Sequence, residues 1–532
     1  MILAVGVNAA WKLPLAYCLT DSTNADLQAT LISDIVTKLY QCGCFAISLT
    51  LDGLPANIKT LQKLGCRMKA SNIDSTFGHP IFTDGSVAAI LDACHMIKLA
   101  RNTLAEYKEI CIPGVGTARW HHLELLHKEQ TTQQLKLGNK ISKSHIKYEN
   151  QKMKVRLAVQ IFSASTATAL RYLRLANHPD FSDSEATEDF LFKMNELFDY
   201  LNSRSPFGRG TKHPMNSRNI EHRISFLRNM KDYLFGLQDK NGNLLVNTKR
   251  RTFIIGLITT IDSTIYLSKM LISGPGINGI TLKYLLTYKM SQDNLETVFA
   301  TVRKRGGCNN NPSALQFRSI YKSLLNHVGV VATGQENILI VEEELEEDTN
   351  PFQAQDDTNN STFTQLSLYV ENVTTYIAGF VVRKLLPRVQ CNECRELLVD
   401  EEHQLRPNTY FLQLKNKGGL ITPSAYTVTI IQLAEREWRR TITPDTKLQT
   451  RHTQQFLINV LKQVNFDQLP DVHTHLANTL NVIDSHVHSL TRLLVGQYLT
   501  LRTFHALKTL NDENKQISVR QKLTKLILFK NQ

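Results

Sequence analysis

Residues Phe45–Gly53 read FAISLTLDG. This nearly continuous apolar run has the pattern of a strand buried on both faces, and it ends on Asp52. Open α/β sheets place their chemistry at the carboxyl ends of such strands. An Asp-Gly turn that merely closes the strand fits the same residues. Upstream, ILAVGV (2–7) and KLPLAYCL (12–19) read as two strands joined by a turn around Asn8–Trp11. Between them and Phe45, DSTNADLQATLISDIVTKLYQCG (21–43) reads as a helix. Ser22 or Thr23 is its expected cap, Leu27, Leu31, Ile35 and Leu39 its apolar stripe, and Gly43 its end. Downstream, SVAAIL (86–91) is a short strand that hands over at Asp92 to a helix, DACHMIKLARN.

A chain of 532 residues exceeds one core, and two to four domains are expected. The net charge is +13 although EEELEED (342–348) concentrates six acids, so a polyanionic partner is expected. The nine cysteines are scattered and odd in number. Met1–Val7 is apolar, but Asn8 interrupts it and no charged segment precedes it. No apolar run is expected to span a membrane. The expectation is an intracellular, reduced, soluble protein with no membrane partner.

From about Tyr107 to Leu285 the pattern changes to long helical periodicity, as in MKVRLAVQIFSASTATALRYL (153–173) and EDFLFKMNELFDYLNS (188–203). MSQDNLETVFATVRKRGG (290–307) follows, a helix with Asp293 and Glu296 one turn apart at its start. Leu295, Val298, Phe299 and Val302 form its apolar face, and Arg303, Lys304 and Arg305 its basic end. Residues 336–362 read as an acidic flexible linker, and 363–532 as mainly helical with a basic tail. Two acids brought together from distant segments, Asp52 and Glu296, suit a divalent cation that takes oxygen ligands and orients an attacking hydroxyl on phosphate. A solvated surface helix is the plainer reading of the second stretch.

WKLPLAYCL, LDGLPAN, LDACHMIKLARN, LLTYKMSQDNLETVFATVRKRGGCNNNPSALQF, YIAGFVVRKL and GGLITPS follow one another as they do in P-element-type transposases, the family that includes THAP-domain transposases. The likeness covers nearly the whole chain, and Leu285–Phe317 is its most specific part. It implies an α/β, RNase H-like catalytic domain of the retroviral-integrase type. A large helical GTP-binding insertion domain splits it, and a mainly helical C-terminal domain follows. The expected boundaries are 1–106 and 286–335 for the catalytic domain, 107–285 for the insertion, 336–362 for the linker and 363–532 for the last domain.

The resemblance implies metal-dependent DNA cleavage and strand transfer, with Mg2+ or Mn2+ held by Asp52 and Glu296 as catalytic acids. GTP serves as a DNA-positioning cofactor, matched to Lys140, Lys154, Val155, Ser163, Asp199, Asn202 and Asp293, the last alternatively aiding magnesium. No GxxxxGK[ST] loop is present. Transposon-end and target DNA, a dimer on DNA and a nuclear location are further implications. The family's first acid lies in a DEM motif on a central strand before the WK.P segment, and this sequence begins after it. A sheet without that strand loses ladder partners at about 1–3 kcal/mol per buried group and is expected to divide. An incomplete reading of the gene, a degenerate copy, or a strand from another segment or chain would account for it. Little strand transfer is expected from this polypeptide. The alternative is a catalytically silent, transposase-derived regulator that binds DNA or protein.

Three weaker constellations remain. Asp92 and His95 open a helix near Asp52, where His95 either meets a carboxylate or a DNA phosphate, or is a satisfied buried histidine. Cys391 and Cys394 with two of His473, His475, His486 and His488 have the donor types of structural zinc, at a spacing longer than a finger's. Arg303–Arg305 suit the phosphates of a DNA end.

Overall fold

The computed structural model describes residues 1–20, 24–82, 85–277, 279–306, 312–328, 365–401, 406–441, 450–464 and 486–513. Strands β1 (Ile2–Val5) and β2 (Lys12–Ala16) form the expected antiparallel hairpin, Val5 opposite Lys12. Helix α1 (Ala25–Gln41) starts at Asn24, whose Oδ1 accepts from the amides of Asp26 and Leu27. A short amide side chain caps as well as a hydroxyl, so Asn24 takes the place expected of Ser22 or Thr23, which lie outside the described residues.

Strand β3 (Ser48–Leu51) leads through Asp52 to α2 (Pro55–Leu64). A small hairpin follows, β4 (Arg67–Lys69) with β5 (Asn72–Asp74), then β6 (Thr76–Gly78), β7 (Ser86–Leu91) and α3 (Ala93–Tyr107). The polar stretch between β3 and β7 thus holds a helix and three strands that periodicity did not mark. The sheet order is β3–β7–β6: β3 runs parallel to β7, Leu51 opposite Leu91, and β6 antiparallel.

Among the described residues the hairpin does not pair with this sheet, so the sheet is divided as expected. A cavity of 970 Å³ lies between β1 and β3. The stripe Leu27, Leu31, Ile35 and Leu39 of α1 lines it, and Leu27 stays 47% exposed. For the same reason β3 is half-buried along its length, where a strand buried on both faces was expected.

One face of the sheet is closed. Helices α4 (Val155–Ile161), α5 (Ala164–Leu175) and α6 (Glu185–Leu201) belong to the helical region, and α7 (Thr252–Ser268) packs on β7. Thr260 Oγ1 donates to the Leu91 carbonyl at 2.7 Å and Ser263 Oγ to that of Ala89. The segment Thr252–Ser273 has mean hydropathy 1.3 over its best window and is long and apolar enough to cross a membrane, contrary to the reading of the sequence. It is mostly buried in this protein, the pattern of a core helix. Gly256 permits that approach: a Cβ there would meet Met96 Sδ at 2.1 Å. Helix α8 (Asp293–Arg305) follows.

The described residues fall into two compact units, 1–124 with 144 onward, and 125–143 with the C-terminal residues. The second unit is built on α9 (Leu368–Leu385), α10 (Ala425–Thr441) and α11 (His486–Glu513), around Tyr426, Ile430, Trp438, Leu494 and Tyr498. The linker at 336–362 and the basic tail from 514 lie outside the described residues.

Candidate active site

Asp52 leaves the end of β3 half-buried, and its Oδ1 accepts from the Leu54 amide (2.9 Å) and Asn57 Nδ2 (2.6 Å). The Asp-Gly turn is therefore real, and it orients the carboxylate. Asn57 is held in turn by Gln28, whose Oε1 accepts from Thr60. A Cβ at Gly53 would meet the flexible end of Met96 (Cε, 2.8 Å) and Thr252 Cγ2 (3.0 Å), so glycine fits here without shifting either.

Two hydrogen bonds bring α8 to this strand end. Thr50 Oγ1 donates to the Met290 carbonyl (2.9 Å), and the Gln292 amide donates to Asp92 Oδ1 (3.3 Å). Asp92 caps α3 through its other oxygen, which accepts from the His95 amide, and its own amide donates to Leu51 O. The long helical excursion therefore returns the first turn of α8 to the carboxyl ends of β3 and β7.

Lys98 marks the convergence. It is 5% exposed, and its ammonium lies in the fields of Asp52, Asp92 and Glu296. Burial lowers its pKa while those three acids oppose the fall. Nζ donates to His95 Nδ1 at 3.4 Å. Burial likewise lowers the His95 pKa, aided by Lys98 and opposed by Asp52; among the described residues the ring's hydrogen-bond partner is Lys98, not a carboxylate. Burial raises Asp92 to about 6, partly offset by its amide donors. Glu296 itself is exposed, at the open side.

Asp293 has its ion pair on the insertion-domain side. It pairs with Arg204, just beyond α6, while its charge also adds to burial in raising the pKa of Asp92 and of the buried Cys94 thiol. Asn202 ends α6 with its Oδ1 buried and without a hydrogen-bond partner. One helix over, Ser163 caps α5, accepting from Thr166 N. The neighbouring Ala164 amide donates to Asn195 Oδ1 (3.3 Å), and Asn195 Nδ2 to Asp199 Oδ2 (3.3 Å). Ser163 and Asp199 are thus brought together through Asn195, and Asp293 sits beside Arg204, near Asn202. Lys154 and Val155 open α4, Lys154 exposed. Lys140 is exposed and belongs to the second unit.

Among the described residues no three His, Cys, Asp or Glu side chains form a metal-ligand group. Asp52 and Glu296 supply oxygen donors at an open cleft, which fits a magnesium-type ion bound by one or two carboxylates and otherwise by water. Zinc gains no support. Cys394 lies in the apolar core of the second unit, and burial pushes its thiol up to about 12, the opposite of what a thiolate ligand needs. His473 and His475 lie outside the described residues, as does the His486 side chain.

The residues that sequence reading missed are Lys98, Arg101, Arg204 and Asn57. Their types are ordinary for a helix or turn; only contacts across the fold reveal them.

Family models match in series: "TNP-like, RNase H N-terminal domain" at residues 1–65, "TNP-like, GTP-binding insertion domain" at 94–214, "TNP-like, RNase H C-terminal domain" at 288–322, and "DNA transposase THAP9, C-terminal domain" at 365–508. In this series the chain is similar to transposases of the P-element and THAP9 type. It is 26% identical to the human DNA transposase THAP9 over 462 residues, 82% of this chain and 50% of that protein. Against the Drosophila melanogaster transposable element P transposase it is 26% identical over 450 residues, 79% of this chain and 54% of that one. It spans about half the length of these curated relatives. The solved Drosophila P element transposase strand transfer complex superposes with a TM-score of 0.52 at 26% identity, covering 62% of this chain and 70% of that chain. This chain therefore has an RNase H-like domain in two pieces, a GTP-binding insertion domain between them and a helical C-terminal domain.

Proposed function

We propose that this chain carries out, or descends from a protein that carries out, metal-dependent cleavage and joining of DNA, with GTP positioning the DNA. What supports the reading most is that the Thr50–Met290 and Gln292–Asp92 hydrogen bonds bring the first turn of α8, which carries Glu296, from the opposite side of the helical insertion to the strand ends beside Asp52. Asp52 and Glu296 would hold magnesium or manganese, which when bound activates water or a DNA 3′-hydroxyl and neutralises the phosphodiester. The chain's own residues do the rest. Asn57 and the Leu54 amide fix the Asp52 carboxylate. Arg303, Lys304 and Arg305, at the far end of the helix that carries Glu296, bind DNA phosphates. In the insertion domain Lys154 neutralises nucleotide phosphate, and Asp199 accepts paired donors from the guanine edge. Val155, Ser163, Asn202 and Asp293 complete that site. Homodimeric action on DNA in the nucleus belongs to the same proposal.

The second reading, a catalytically silent regulator that binds DNA, has its own support: Lys98 places a resident cation among the acids, and no three-acid group is present among the described residues. One experiment separates them. The purified chain is mixed with pre-cut transposon ends, GTP and manganese. DNA binding that requires GTP supports both readings, and its indifference to GTP contradicts the nucleotide role. Joining lost in Asp52→Asn and Glu296→Gln supports the enzyme. Joining that survives both substitutions contradicts the assigned acids, and binding without any joining supports the regulator.

A further inference from the structure

Helix α3 reaches two sites. Its first turns carry Asp92, His95 and Lys98 to the acids. One turn beyond Lys98, Arg101 is 0% exposed, and among the described residues no carboxylate bonds its guanidinium. Its Nε donates to Asn102 Oδ1 (2.7 Å), and its Nη2 to the carbonyl oxygens of Gln151 (3.0 Å) and Lys152 (3.3 Å). Asn102 Nδ2 also donates to Lys152 O (3.3 Å). Those carbonyls lie immediately before Lys154 and Val155. Between them, Met153 Sδ lies 4.0 Å from Lys98 Nζ. The turn at 151–155 therefore touches both the arginine and the acid-site ammonium.

A buried guanidinium held only by neutral carbonyls is incompletely compensated. Arg101 Nη1 and Gln151 Oε1 are both buried with no hydrogen-bond partner. An anion bound at Lys154 would supply the negative potential this arrangement lacks. The matched GTP-binding insertion domain begins at residue 94 and so includes Arg101 itself.

We propose that Arg101 is a positioning residue: it holds the nucleotide-contacting turn 151–155 against α3 and so links nucleotide occupancy to the acid site through one rigid helix. This rests on reading Lys154 and Val155 as nucleotide contacts. A brace that only stabilised the fold would lower the unfolding temperature and leave both ligand affinities and their coupling unchanged.

The test uses the full chain, a fluorescent GTP analogue, and manganese titrated with and without saturating GTP. In the wild-type chain GTP is expected to change manganese affinity, and by reciprocity manganese changes GTP affinity by the same factor. Arg101→Met is expected to weaken GTP about tenfold, the equivalent of roughly 1.4 kcal/mol, and to abolish the coupling, while Arg101→Lys restores part of both. If Arg101→Met does not fold, Asn102→Ala, which removes the acceptor of Arg101 Nε and the second donor to the Lys152 carbonyl, is expected to weaken GTP about threefold and reduce the coupling. A folded Arg101→Met or Asn102→Ala chain with wild-type GTP affinity and intact coupling overturns the proposal. A wild-type chain that binds no GTP overturns the nucleotide reading first, and is recognised because the failure precedes any substitution.

Discussion

Two buried charged constellations in this molecule have opposite character. In the second unit, Glu435 is fully buried on α10 and every oxygen is used: Oε1 accepts from Arg439 (2.8 Å) and Arg502 (3.1 Å), Oε2 from Arg502 (2.9 Å) and Tyr498 (2.6 Å). Burial alone would raise its pKa, yet the two arginines and the tyrosine hold it below the usual carboxylate range. In the first unit, Lys98 lies buried among three acids with no carboxylate bonded to it, and Asp92 stands at about 6. The satisfied cluster is a structural pin. The unsatisfied one, open at Glu296, is where a fold keeps charges that a ligand completes.

Breaking the pin has the largest expected effect. Glu435→Gln leaves Arg502 buried and uncompensated, and should cost about 3–5 kcal/mol, seen as lost protection of α10 and α11 amides in hydrogen exchange. Wild-type protection there would erase the distinction between the clusters. Next come the covered face of the β3–β7 sheet and its open side at β3. Ile258→Ala, in the closed core of α7, should cost about 2–5 kcal/mol. Leu31→Ala, on the cavity lined by α1, should cost under about 1.5 kcal/mol because its atoms already face open space. Equal costs in urea unfolding would mean that side is closed in solution.

A pH series sharpens the contrast with opposite slopes. Asp92 has a folded pKa of about 6, above its unfolded value. The native state holds a proton the unfolded chain has lost between those values, so stability falls as pH rises, by at most about 1.4 kcal/mol per unit. Glu435 is depressed, so its contribution is present above its unfolded pKa and lost as pH falls through the folded value. Hydrogen exchange of α3 should therefore weaken from pH 4 to 6, and Asp92→Asn should remove that trend. The smallest effect on stability is expected for Lys98→Met, within about 1 kcal/mol, accompanied by tighter manganese binding as a competing cation is removed. A loss as large as that of Glu435→Gln would make Lys98 a structural pin too.

Much of this was legible in local pattern. The hairpin, α1, the strand ending on Asp52, the Asp92 handover and α8 each follow from periodicity and turn chemistry within one segment. The Asp52–Glu296 convergence followed from family resemblance and the placement of acids, and the Thr50–Met290 and Asp92–Gln292 bonds give its physical cause. Lys98 and Arg101 were not legible. A lysine and an arginine on KLARN look like a solvated helix face until residues 52, 151, 152 and 296 arrive around them. The half-burial of β3 was missed for a similar reason, since a strand's sequence does not say whether its neighbour is present. The apolar Thr252–Ser273 segment needed the sheet beneath it to be read as core.

The most direct measurement is manganese binding by calorimetry to the folded wild-type chain and to Asp52→Asn and Glu296→Gln, paired with their double variant. Asp52 and Glu296 sharing one ion should give a single site weakened by either substitution, with the double variant little worse than each single one. Unchanged affinity in both single variants, or losses that simply add, would show that the two acids do not share an ion.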